Sequence, residues 1–447
     1  MIAIIGAGPA GLAAAVAAAR SGAEVALFDA STNFGGQYWR HRTDVAGYKA
    51  ERAQKYFDAV ISSPNITFIS EAQVWSAERR DGLIQINYLQ GGAESFLTVE
   101  KVILATGAHD RTLPFPGWDY PGSMTPGAAQ ALYKGHGVVA GKRILIAGSG
   151  PFLLPVATGL AEAGAHVVGL LEANSPLRWA RSPIALLRNP LKFFELIYYL
   201  RLLRRYSLKP QFGAAVVGYE NGVAQIARVG SSLRAKGVDR REIACDVVAV
   251  GWGFQPDVSL GGILGCVEKV DRDGTVIFQV DSSQLSSQAN IWIAGEATGI
   301  GGADLSITEG EIAGLAAAGS PIPSKLVRKR SAQRAFARAL QKSYPVGDGW
   351  KEWITPETTI CRCEEVSHSA ILDSIHELGA EDSRTAKLFT RAGMGLCQGR
   401  ICSRNVAEII AGARKCEVSP SERIAASNRP LAAPISLGVL ADGESLN

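Results

Sequence analysis

The stretch MIAIIGAGPAG, residues 1–11, and the EVALFD that follows at residues 24–29 decide the fold. MIAII reads as a short buried strand, Gly6-Ala-Gly8-Pro9-Ala10-Gly11 as the turn into an Ala-rich helix, and EVALFD as a second strand ending in an acid. This is half of a dinucleotide site. Gly6 allows the tight turn, Gly8 brings backbone N–H groups up to a pyrophosphate at the positive helix end, and Gly11 lets helix and strand close on each other. Asp29, at the end of the second strand, is placed to accept from a ribose diol. The run LAAAVAAA is read as helix packing rather than a signal peptide, because the strand ahead of it has no basic leader.

Working outward, the chain has 447 residues, 47% of them hydrophobic, and 49 glycines, which suits two or three α/β domains with many strand-to-helix turns. A net charge of only +4, spread through the chain, leaves no nucleic-acid footprint. No apolar run reaches the length of a membrane span, so a cytoplasmic protein is expected. Seven cysteines, an odd number, argue against a secreted disulfide framework.

Asn33-Phe-Gly35-Gly36-Gln37-Tyr38-Trp39 follows the first nucleotide half, and its glycine pair suits backbone lying against a flavin, with Gln37 and the aromatics beside the ring. No redox cysteine pair accompanies it, so disulfide-reductase chemistry is not supported. Short alternating segments between residues 60 and 105 read as an antiparallel layer. A strand then runs into Ala105-Thr106-Gly107, returning the chain to the first domain. His109 is read as a hydrogen-bonded structural histidine rather than a flavin neighbour.

A second dinucleotide pattern opens at Arg143-Ile-Leu-Ile-Ala-Gly148-Ser-Gly150-Pro-Phe-Leu153, with Glu172 at the ribose position, where it disfavours a 2'-phosphate. Leu153 replaces the third glycine, so NAD, another adenine nucleotide and an empty site all stay open. The insertion over residues 175–210 carries an apolar, aromatic and basic helix. Core packing or subunit contact is weighted above a membrane surface. Cys245 and Cys266 read as buried apolar residues. The strand ending at Gly295-Glu296 offers a carboxylate for a flavin ribityl chain, and the helix after it aims its N-terminus at the flavin.

Beyond a basic helical connector, Cys361-Arg-Cys363 and Cys397-Gln-Gly-Arg-Ile-Cys402 supply four thiolates, enough for zinc or a [2Fe-2S] cluster. The glycines of GMGLCQGRIC open N–H groups toward sulfur and favour the redox cluster. Arg362, Arg391 and Arg400 offset cluster charge, and Lys387 and Arg391 are either anion-stabilising or plain solvated charges. Cys416 lies outside the pattern. No residue is an evident substrate base, so no catalytic residue is assigned.

Taken together, GAGPAG, GGQYW, ATGAHDR, LPFPGW, GSGPFLLPVA, GWGFQP, GEATGI, ICRCEEV and RAGMGLCQGRIC resemble the larger flavoprotein subunit of bacterial heteromeric amino-acid and opine dehydrogenases. That group includes opine oxidases, hydroxyproline dehydrogenases and hydrogen cyanide synthase. The resemblance implies an α/β fold with two Rossmann-like domains of the glutathione-reductase and thioredoxin-reductase type, plus a small helical [2Fe-2S] domain similar to bacterioferritin-associated ferredoxin. The expected divisions are an FAD domain from 1–115 and 280–320, a second nucleotide domain over 116–279, a connector over 321–350, a cluster domain over 351–415 and a tail over 416–447.

The resemblance also implies a partner FAD subunit like D-amino-acid oxidase that oxidises the substrate's C–N bond, with a small third subunit in some members. FMN often lies at the subunit interface, and electrons pass toward a quinone or other carrier, the complex sitting in the cytoplasm or at the inner face of the membrane. By motif, Gly6, Gly8, Gly11, Asp29 and Glu296 hold FAD, and Cys361, Cys363, Cys397 and Cys402 hold iron. The alternative is a stand-alone NADH-dependent flavin or ferredoxin-type reductase using Gly148, Gly150 and Glu172.

Overall fold

The computed structural model describes residues 1–42, 51–181, 189–237 and 240–444. The chain divides into two compact units, one of residues 1–108, 256–337 and 428–447, the other of residues 109–255 and 338–427. Both units are therefore discontinuous in sequence, and one division falls inside the helix Ser324–Ser343.

In the first unit a five-stranded parallel sheet runs in the order Ile291–Ile293, Lys101–Leu104, Ile2–Ile5, Val25–Phe28, Ile66–Ile69. Ile2–Ile5 is buried throughout, as a central parallel strand must be when both its faces are covered. Helix Pro9–Arg20 starts with proline in its first turn, where the missing N–H costs nothing, and all but its ends is buried. Its partner is helix Ala303–Ala317. The two backbones nearly touch: a Cβ on Gly310 would lie 2.0 Å from the Ala10 carbonyl oxygen, and one on Gly314 would lie 2.3 Å from that of Ala14. Strands Ala72–Arg80, Leu83–Gln90 and Ala93–Val99 form an antiparallel layer.

The second unit repeats the plan with the order Pro210–Phe212, His166–Glu172, Arg143–Gly148, Val247–Gly251, Ser123–Met124. Alternation along Arg143–Gly148 sends Ile144 and Ile146 to one core, with helix Leu153–Glu162, and Leu145 and Ala147 to another. That second core also holds Trp118, Trp252, Trp350, Trp353, Cys361, Ile371, Cys402 and Ile410. The cysteine-bearing C-terminal segment thus shares buried residues with the second sheet. Residues 256–279, 321–337 and 428–447 group with the first sheet, where the sequence divisions placed them elsewhere.

Within the 175–210 insertion, residues 182–188 lie outside the described residues. Helix Pro190–Arg205 buries Leu203 but leaves Phe194, Leu196, Tyr198 and Leu200 exposed, so it is not core. No described helix is long and apolar enough to cross a membrane.

Candidate cofactor sites

Each glycine loop is shaped by its sheet. Gly6 has φ +103° and lies so close to the neighbouring strand end that a Cβ would meet the Ala105 carbonyl oxygen at 2.4 Å. A Cβ on Gly11 would fall 1.7 Å from the Gly6 carbonyl oxygen, so helix and strand close only around glycine. Asp29 spans the loop: one carboxylate oxygen accepts from Ala7 N–H at 2.7 Å and the other from Ser31 N–H at 2.8 Å. Gly36 lies against the loop, where a Cβ would sit 2.8 Å from Gly8 Cα. This glycine-lined cradle at a helix N-terminus fits the diphosphate of FAD, with Pro9 and Ala10 as the first helical residues and Asp29 at the ribose end. Gln37 and Tyr38 are exposed, while Trp39 is buried on Tyr56 and Phe57. Thr106 donates through its hydroxyl to the Asp257 carbonyl at 2.7 Å, and Gly107 accepts from Asp257 N–H at 3.0 Å, fixing the strand's exit.

At the Gly295–Gly299 turn Glu296 is already bonded to backbone. Glu296 accepts from Gly301 N–H at 3.0 Å and Gly302 N–H at 2.8 Å, capping the turn that opens helix Ala303–Ala317. Burial pushes its pKa up, against the pull of those two amides. Below it sits a pair that sequence reading missed. Glu309, fully buried, accepts from Gly295 N–H at 3.1 Å and Thr298 Oγ1 at 2.9 Å, and pairs with Arg334 at 2.5 Å. Arg334 also donates to the Gly299 carbonyl at 3.0 Å. Glu309 is the acid at the centre of the run ADLSITEGEIAGLAA, between Asp304 and Glu311, and its place among buried residues was the one available signal.

The second loop follows the same logic with one offset. Gly148 has φ +136° and abuts the Gly251 carbonyl oxygen. The helix begins only at Leu153, after a turn in which Leu153 N–H donates to the Gly150 carbonyl at 3.2 Å. Glu172 accepts from Gly150 N–H and Asn174 N–H, each at 2.8 Å. Burial raises its pKa from the usual 4.5 to about 7, despite those amides. Asn174, which the sequence did not single out, donates to Ser149 Oγ at 2.9 Å and the Pro345 carbonyl at 3.1 Å. A cavity of about 500 Å³ lies at the end of these strands, lined by Ser175, Arg178, Phe212, Ser231 and Lys236 among others.

The four C-terminal cysteines come together as two pairs, Cys361 with Cys402 and Cys363 with Cys397. Cys361 and Cys402 are buried, Cys397 is half-buried and Cys363 is exposed. The Cys402 thiol and the amides of Gly393, Glu364 and Cys363 outweigh burial and pull the Cys361 thiol down to about 5. Gly393 N–H donates to Cys361 Sγ at 3.4 Å. Cys402, hydrogen-bonded to Cys361 and buried, is pushed up. Among the described residues no three His, Cys, Asp or Glu side chains are gathered as for one metal ion. Two thiol pairs with amides aimed at sulfur instead fit a binuclear cluster, which takes two thiolates at each iron.

Around them, Arg391 Nε pairs with Glu364 at 2.8 Å, Arg400 donates to the Cys397 carbonyl at 3.2 Å, and the Arg362 guanidinium lies 6.0 Å from the Trp118 ring centroid. His109 Nε2 is 3.3 Å from the Arg400 carbonyl oxygen, which makes it a hydrogen-bonded neighbour of the cysteine segment. Cys245 and Cys266 are buried, and Cys416 is exposed.

Comparison with known proteins agrees with this division. Residues 1–185 match the pyridine nucleotide-disulphide oxidoreductase family, and residues 359–412 match the BFD-like [2Fe-2S] binding domain. An opine oxidase subunit of Agrobacterium tumefaciens (strain Ach5) is 35% identical, over 98% of this chain and 90% of that protein. Hydrogen cyanide synthase subunit HcnB of Pseudomonas aeruginosa is 32% identical, over 89% of this chain and 90% of that protein. Among solved structures, L-proline dehydrogenase from P. horikoshii shares the fold, with a TM-score of 0.67 at 19% identity over 98% of this chain and 78% of that one. The chain therefore belongs to the family of these opine oxidase and hydrogen cyanide synthase subunits, FAD-dependent oxidoreductase components that join a pyridine nucleotide-disulphide oxidoreductase fold to a C-terminal [2Fe-2S] domain.

Proposed function

We propose that this chain is the electron-transferring subunit of a heteromeric complex that oxidises the C–N bond of an amino acid or opine. The substrate is held by a separate flavoprotein subunit like D-amino-acid oxidase, with or without a small third subunit. The carrying observation is the coexistence of a glycine-lined nucleotide cradle and two thiol pairs in one chain. Its relatives are named as subunits, which supports a division of labour. Flavin and cluster, when bound, supply two-electron and one-electron chemistry respectively. The residues of this chain bind and orient them: Gly6, Gly8, Gly11 and Asp29 at the nucleotide, and Cys361, Cys363, Cys397 and Cys402 at iron.

The second glycine loop takes a second adenine nucleotide in this reading, with Glu172 turning from Gly150 to the ribose diol; the nearby cavity lined by Ala173, Arg178 and Lys236 adds two cations at that end of the sheet. FMN at the interface with the partner, delivery of electrons to a quinone or other carrier, and a cytoplasmic site at the inner face of the membrane complete it.

The test is to purify the chain with whatever co-purifies and to measure absorption, iron, zinc and flavin. Flavin bands, about two irons per chain and an oxidase-like partner needed for amino-acid turnover are expected. Turnover by this polypeptide alone, or zinc in place of iron with flavin bleached by NADH, would overturn the reading in favour of a stand-alone reductase.

A further inference from the structure

The cysteine site has an inside and an outside. Cys361 and Cys402 lie in the core shared with the second sheet, whereas Cys363 and Cys397 reach the surface. Around that outward edge the chain exposes large apolar side chains that none of the described residues covers. Leu396 is 76% exposed and stands between Cys397 and Gly395, whose backbone is so close to Cys363 that a Cβ there would lie 2.3 Å from the cysteine's own. Leu388 and Phe389, 68% and 48% exposed, end the helix Ser383–Thr390. Arg391 caps that helix in a left-handed conformation and reaches Glu364, the residue after Cys363. These contacts bring the segments that carry the three apolar side chains to Cys363 and Glu364.

The charge around this edge is mostly cationic. Residues 383–400 contain Arg384, Lys387, Arg391 and Arg400 and no acid, and Arg362 is exposed between Cys361 and Cys363; the acids here are Glu364, which pairs with Arg391, and exposed Glu365. An apolar centre with a cationic rim is the anatomy of a protein interface, where aromatic and aliphatic anchors are buried and rim charges steer the approach. A solvent-facing cluster edge ringed by leucines would otherwise expose apolar surface to water to no purpose.

We propose that the surface formed by Leu388, Phe389 and Leu396 around Cys363 and Cys397 is the docking face for the complex's other redox subunit, and that this subunit presents an apolar pocket with an acidic rim. The inference rests on the electron-transfer reading above and adds where the partner sits. It places a second redox centre against the edge of the cluster site that reaches the surface, with Arg384 and Lys387 setting orientation and association rate.

The experiment uses the co-purified complex and the full-length chain. Hydrogen exchange and lysine-to-carboxylate cross-linking should show residues 384–398 protected in the complex relative to the chain alone, with Lys387 linked to partner carboxylates. Leu396→Glu and Phe389→Glu should each weaken partner association by about tenfold or more, the loss expected of a buried anchor. Iron content and the spectrum of the dithionite-reduced cluster should stay unchanged. Ile61→Glu, at another exposed apolar side chain, should have no effect on association. Because the protection and cross-linking are read on the unaltered chain, they stand even if a variant loses its cluster. A partner that co-purifies but protects a different surface would overturn this inference and leave the electron-transfer reading intact. Absence of any redox partner would overturn both, and a homodimer dissolved by Leu396→Glu would assign the face to a second copy of this chain instead.

Discussion

The carboxylate of Glu172 accepts the backbone N–H of Gly150 at 2.8 Å, one residue further along its glycine loop than Asp29 reaches in the other domain. The extra methylene of glutamate accounts for the step. Asp29 holds Ala7 and leaves the Gly8 amide open, whereas Glu172 takes the equivalent amide for itself. A nucleotide entering the second domain must displace this bond.

The same burial makes Glu172 a pH sensor for the second unit. Its pKa in the folded chain lies above the ordinary value, so the charged form is the disfavoured one. Stability is then fully present below about pH 4.5 and is lost as pH rises to about 7, by up to ~3 kcal/mol. Thermal unfolding between pH 4.5 and 8 should show this fall, and Glu172→Gln should flatten it. An unchanged slope in the variant would assign the dependence to another group.

Glu408 behaves in the opposite sense. Burial opposes its ionisation, but Arg111, Arg404 and Arg423 outweigh burial and hold it down to about 2. Its contribution is present above the ordinary carboxylate pKa and is lost as pH falls toward 2. Glu408→Gln leaves three largely buried guanidinium groups around a neutral amide, and it should cost about 3–5 kcal/mol in urea unfolding at pH 7.

Gly310 is where helices Pro9–Arg20 and Ala303–Ala317 come closest. Gly310→Ala should destabilise the first unit by about 1–3 kcal/mol or more, because the Ala10 carbonyl cannot retreat without moving the glycine loop. Flavin content after gel filtration should fall with it, while iron content, set in the second unit, should hold.

Replacing any one of Cys361, Cys363, Cys397 and Cys402 with serine should abolish or sharply lower bound iron and visible cluster absorption. Cys416→Ser should leave both unchanged, since Cys416 stands outside the two thiol pairs. Iron assay and electron paramagnetic resonance of the reduced protein separate the outcomes.

The glycine loops, the acids that close them and the cysteine pattern were legible in the sequence because each depends on local backbone geometry or short spacing. Gly6, Gly11 and Gly148 are glycines because another backbone lies where a side chain would be. Glu309 with Arg334, and Glu408 with Arg111 and Arg423, were not legible. Their partners are brought together by helix packing across tens to hundreds of residues, and an arginine in a basic helix looks like any solvated charge until its neighbour is seen. The bonds of Glu296 to the Gly301 and Gly302 amides met the same limit, since that reach depends on the turn's curvature. The shared core of the cysteine segment was hidden for a related reason: Trp118, Trp252, Trp350 and Trp353 are spread over more than two hundred residues.

Both units are assembled from distant pieces of chain, and this fixes when they can form. Strand Lys101–Leu104 waits for Ile291–Ile293 to complete its sheet, and the second unit lacks Trp350, Trp353, Cys361 and Cys402 of its interior until residues 350–402 exist. As the polypeptide leaves the ribosome, neither half can finish before most of the message has been translated. A nascent or truncated product would present open sheet edges to chaperones instead of a folded half-protein.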